Sequence, residues 1–108
     1  MDYDEFSTIV KASNNTNTLV FSFLRFTKRG RIDFGDNIDY NINTFSLQET
    51  GDESNSAWRY DKSTFNMIVE QIKHSNMHQQ LQKFNIFQCK VDVEDVDLPG
   101  VTVVKEWW

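Results

Sequence analysis

The chain has 108 residues, 39% hydrophobic and 25% charged, with nine Phe, three Tyr and three Trp. That length suits a single domain, and the aromatic supply excludes a disordered chain. A net charge of −5 disfavours non-specific attraction to nucleic acid or anionic lipid. The lone cysteine, Cys89, excludes an intrachain disulfide and a cysteine-based zinc site, and reads as a small buried hydrophobe.

The opening stretch MDYDEFSTIV is acidic and has neither the basic nor the apolar region of a signal peptide, so a cytoplasmic location is expected. Residues 2–12 read as a short helix: Tyr3, Phe6, Ile9 and Val10 share a face, and Asp2, Asp4 and Glu5 suit the positive end of the helix dipole. SNNTNT then ends it, because Asn and Ser side chains compete for backbone bonds.

LVFSFLRF, residues 19–26, is a strand apolar on both faces, with Leu19, Phe21 and Phe23 on one and Val20, Leu24 and Phe26 on the other, which predicts a central position or cover by helices on one side. TKRG makes a turn at Gly30 and RIDF reads as the return strand of a hairpin. Ile38, Tyr40 and Ile42 continue the alternation, and the parity then shifts to Phe45 and Leu47, predicting a bulge or bend near residues 43 and 44. Residues 48–57 are polar and without period, and are expected to form a mobile loop.

Asp61 or Ser63 can cap a helix running to about His74, with Phe65, Ile68, Val69 and Ile72 as its buried stripe. Met77, Leu81 and Phe84 fall on a face roughly 120° away, so a break at Ser75–Asn76 and a second short helix over 77–84 are predicted. FQCKVDVEDVD, residues 87–97, alternates as a strand with Phe87, Cys89, Val91 and Val93 inward. DLPG turns the chain and VTVVKEW forms a last strand, which predicts a second hairpin. The expected fold is α+β: an antiparallel or mixed sheet of four or five strands, with an N-terminal helix and a broken central helix pair packed on it.

The spacing of Glu70, His74 and His78 would align three ligands on an unbroken helix, but the predicted break falls between the histidines, and solvated helix-end side chains are the plainer reading. There is no phosphate-binding glycine loop, no nucleophile elbow and no papain-like cysteine context, so neither a catalytic residue nor a cofactor is assigned. DVEDVDLPG lacks the glycine and distal Glu of a calcium loop.

Arg25, Lys28, Arg29 and Arg31 make a basic tip that could touch phosphate or an acidic surface, or could simply blunt an exposed edge. Asp92, Glu94, Asp95 and Asp97 make an acidic run, and alternation turns Trp108 outward behind Trp107. The expectation is a small acidic protein-binding module, of the kind that occludes a basic partner as an inhibitor or toxin-neutralising immunity protein does, through Asp92, Glu94, Asp95, Asp97 and Trp108. The alternative is a self-assembling subunit, dimeric through the C-terminal strand and Trp108. Nucleic-acid contact through the basic tip ranks below both, and no membrane partner is expected.

Overall fold

The computed structural model describes residues 1–22, 25–26, 30–48, 51–52, 62–87 and 96–106. α1 (Tyr3–Ala12) begins where Asp2 caps it, its carboxylate accepting from the Glu5 N–H at 2.7 Å, with Asp4 and Glu5 in the first turn. β1 (Thr18–Ser22) and β2 (Arg25–Phe26) follow, then β3 (Thr44–Gln48) and β4 (Gly51–Asp52). α2 (Lys62–His74) and α3 (Met77–Gln80) precede β5 (Lys83–Phe87) and β6 (Thr102–Glu106).

The sheet overturns the expectation of antiparallel or mixed pairing. β1, β3, β5 and β6 lie side by side in chain order, and every pair is parallel: Thr18 faces Thr44, Thr44 faces Lys83 and Lys83 faces Thr102. The first predicted hairpin does not form, and the opening strand of the second falls largely on residues 88–95, outside the described residues. Residues 31–34 carry no strand and neither do 38–42, although Ile32, Phe34, Tyr40 and Ile42 are buried. Their alternation records burial along an irregular return path, and the parity change near residue 43 marks the start of β3 rather than a bulge. At the second site the turn is real: Val101 N–H donates to Leu98 O at 3.1 Å across Pro99 and Gly100, whose φ is +82°. That is type II geometry, with proline second and glycine third. It leads into a strand parallel to β5.

Two further boundaries move. Lys83 and Phe84 belong to β5 and not to a helix, so α3 stops at Gln80. Phe84 and Ile86 point into the core, which puts Phe87 on the opposite face, contrary to its predicted inward role. The rest of the predicted 87–97 strand, with Cys89, falls on residues 88–95, outside the described residues. Among the described residues β1 is a terminal strand of the sheet and not a central one; it is covered by α1 on its Phe21 face, and Val20 is exposed.

Four parallel strands advancing in one direction need three crossovers. Right-handed crossovers, the near-universal hand, put all of them on the same face of such a sheet. The packing agrees. Leu19, Phe21, Phe45, Leu47, Phe84, Ile86 and Val103 join one hydrophobic cluster with Phe6 and Val10 of α1, Phe65, Ile68 and Ile72 of α2, and Met77 of α3. Aromatic rings link the layers: Phe6 to Phe21 at 4.9 Å, Phe45 to Phe84 at 5.6 Å, and Phe84 to Phe65 at 6.0 Å. The other sheet face carries Val20, Ser46, Asn85 and Val104 across its middle, and Val20, Phe87 and Val104 are no part of that cluster.

β2 and β4 are also parallel, with Arg25 opposite Gly51 and Phe26 opposite Asp52. Phe26 is buried against Tyr3 and Phe6 although alternation from Phe21 would turn it outward. Phe26 therefore joins the same core as Phe21.

Candidate functional site

The helical junction presents a polar surface. Lys73, His74, Ser75, Asn76, His78 and Gln79 line an open depression of about 430 Å³. The break after α2 has a local cause: Ser75 Oγ donates to Ile72 O at 3.1 Å and accepts from the Met77 N–H at 3.3 Å, while Asn76 Nδ2 donates to Ile38 O at 3.2 Å. Side chains thus replace helical backbone bonds where the apolar stripe changes face.

That break separates the two histidines. His74 Nε2 lies 3.0 Å from a Glu70 carboxylate oxygen, one turn back on α2. His78 Nε2 meets Pro99 O at 2.9 Å, and since a carbonyl can only accept, this nitrogen carries the proton. Among the described residues no group of three or more His, Cys, Asp or Glu side chains is placed to hold a metal.

Asp97 is the one member of the acidic run within the described residues. It is exposed, and its carboxylate accepts from Lys73 Nζ at 2.6 Å. The Lys73 ammonium holds the Asp97 carboxyl below its ordinary range, by hydrogen bond and then by charge, and Asp97 holds Lys73 up in return. The pair ties α2 to the turn before β6, so Asp97 is committed within the chain. Asp92, Glu94, Asp95 and Trp108 lie outside the described residues.

Of the basic tip, Arg31 is exposed, Arg25 is placed in β2 by its backbone, and Lys28 and Arg29 lie outside the described residues. The backbone of Arg25 runs beside Gly51. β2, which holds Arg25, therefore pairs with Gly51–Asp52 and not with a return strand at residues 31–34.

Sequence reading missed the sheet face opposite the helices. There Asn85 Nδ2 donates to Ser46 Oγ at 2.9 Å and Ser22 Oγ donates to Gln48 Oε1 at 3.1 Å. Ser46 and Asn85 are buried, and Asn85 Oδ1 has no partner. The residues were visible, but which of them share a row depends on strand pairings 26 and 39 residues apart, seen in Ser46 against Val20 and Asn85 against Ser46. Nothing local announces such distances.

A parallel sheet also gathers the carboxyl ends of its strands at one edge. β3 and β5 end side by side, with Gln48 opposite Phe87, and β6 ends beside them, with Glu106 opposite Phe87. The sequence leaving β3 holds Glu49, Asp52 and Glu53, and that leaving β5 holds Asp92, Glu94 and Asp95.

Compared with known proteins, the chain matches no family model, no curated sequence and no solved structure. No described helix is long and apolar enough to cross a membrane.

Proposed function

We propose that this chain is a small acidic binding module that occludes a basic protein partner, as an inhibitor or immunity protein does. The observation that carries the reading is the strand order. Parallel pairing in chain order brings the exits of β3, β5 and β6 to one edge, and the sequence that follows two of those exits is acidic, with Glu106 closing the third. Ligands of open parallel sheets favour this edge, outside the carboxyl ends of the strands. Charge gathered there speeds and specifies the encounter with a basic partner. Asp92, Glu94 and Asp95 carry the recognition, and Asp97 contributes less because it is paired with Lys73. Placement in the cytoplasm accords with a lone cysteine that has no disulfide partner in the chain.

The test is affinity capture from the native cell at low and raised salt, with wild type and the double reversal Asp92→Lys, Glu94→Lys as baits. A basic protein in stoichiometric amount, released by salt and lost with the reversal, is the expected outcome. Recovery of the bait's own chain and nothing else overturns the proposal and favours self-assembly through the C-terminal strand and Trp108, for which β6, a terminal strand of the described sheet, would supply the edge.

A further inference from the structure

We infer that β1 is a docking edge for a second copy of this chain: two β1 strands pair antiparallel about a two-fold axis at Val20 and join the two four-stranded sheets into one. The first support is the phase of the ladder. Thr44 N–H donates to Asn17 O at 3.2 Å, in the register that sets Thr18 against Thr44. In a parallel ladder this turns the N–H and C=O groups of Leu19 and Phe21 toward β3, and those of Thr18, Val20 and Ser22 outward. β1 ends the sheet, so among the described residues these outward groups meet no further strand.

The second support is the lack of edge protection. Exposed edges are ordinarily blunted by charge, proline or a bulge. TLVFS has no charge and no proline, and it pairs with β3 in unbroken register. The other terminal strand, TVVKE, carries Lys105 and Glu106.

Third, the large apolar side chains most exposed among the described residues are Val20, at 46%, and Ile9, at 38%. They belong to β1 and α1, neighbours through Phe6 and Phe21. Exposed apolar surface thus collects at one end of the sheet.

The strand complements itself. With Val20 on the axis, Thr18 faces Ser22 of the copy, Leu19 faces Phe21 and Val20 faces Val20. Hydroxyl meets hydroxyl, apolar meets apolar, and no charge meets its like. Such an isologous contact closes at two chains. A five-residue strand with α1 beside it covers on the order of 1,000 Å² in total, the lower limit of a specific interface, so the dimer is weak and depends on concentration.

Sedimentation from about 1 µM to about 1 mM, the span in which a weak dimer forms, should show the monomer giving way to the dimer. Val20→Lys, which sets two ammonium groups face to face, should abolish the dimer while wild-type circular dichroism and melting are retained. Val20→Thr, a good strand former, should keep it. In a Cys89→Ser background Val20→Cys should form a disulfide-linked dimer on oxidation, because residues in a hydrogen-bonded antiparallel pair have Cα atoms about 5.5 Å apart, within disulfide reach. A wild type that stays monomeric at about 1 mM, a dimer indifferent to Val20→Lys or lost on Val104→Lys, or equal cross-linking by a Val104→Cys control overturns the inference.

Discussion

Tyr40 shows how one side chain can carry a pH signature. It is buried, and its hydroxyl donates to Phe34 O, closing the irregular segment that precedes β3. Burial, and then the nearby Asp33 carboxylate, push its ionisation up to about 12. The folded state therefore binds this proton more tightly than the unfolded chain does. That contribution to stability is whole below the unfolded value near 10 and is lost as pH rises through the folded value of about 12. Titration at the tyrosinate absorbance should show a component near that value, absent in Tyr40→Phe. The same substitution should lower stability at neutral pH by about 1 kcal/mol through the lost hydrogen bond. The glycines offer a second comparison. Gly35 has φ +78°, and an added Cβ would sit 2.8 Å from Ile38 Cδ1; Gly100 has φ +82° with open space around it. Both alanine variants bear the strain of the left-handed region, but Gly35→Ala must also displace Ile38. Denaturant unfolding should rank Gly35→Ala as clearly the less stable of the two.

The elements divide by how local their signal is. α1 and α2 were legible because a buried stripe at i, i+3 and i+4 needs no knowledge of any partner: Phe65, Ile68, Val69 and Ile72 are buried where the pattern put them. The break at Ser75–Asn76 was legible for the same reason. Strand direction was not. Alternation reports which side chains go inward and is silent on the neighbour, so TKRG followed by RIDF imitates a hairpin while β1 pairs 26 residues away, Thr18 with Thr44. Residues 32–42 also show that burial alternates without a ladder, their backbone being held by Ser7 Oγ, which accepts from the Asp33 N–H, and by Gln71 Oε1, which accepts from the Phe34 N–H. Of the proposed acidic site the sequence displayed the residues but not the edge at which β3, β5 and β6 end together, because that edge is created by pairing order. Phe84 joins the layers, lying between Phe45 of the neighbouring strand and Phe65 of α2. Phe84→Ala should cost about 3–5 kcal/mol, the range for an emptied aromatic site. A urea midpoint left near wild type would show that the strand and helix layers are not joined there.

At the scale of the whole molecule, the strands of the four-stranded sheet lie side by side in chain order, as in a wound coil, with β2 and β4 paired apart from them. Stability in such an arrangement is highest where both neighbours are present. Native-state hydrogen exchange should therefore find the amides of β3 and β5 slowest and those of β1 and β6 faster, with no strand exchanging through an opening confined to the middle of the sheet. Slower exchange in β1 at high protein concentration would be a separate sign that its outer edge is covered by another copy. The sheet face opposite the helices adds one more expectation. Ser46→Ala strands the buried Asn85 amide and should destabilise by about 1–3 kcal/mol, whereas replacing both residues by apolar ones should be close to neutral, since it also removes the unbonded Oδ1.

The winding order also bears on how the chain comes off the ribosome. A strand whose partner is always the next one upstream finds its template already synthesised, and β1 must wait for the 26 residues that separate Thr18 from Thr44. At ordinary elongation rates that interval is roughly one to five seconds. During it TLVFS is an uncharged strand with both edges open, the moment in synthesis when capture by another nascent chain, or by a chaperone, competes most directly with folding.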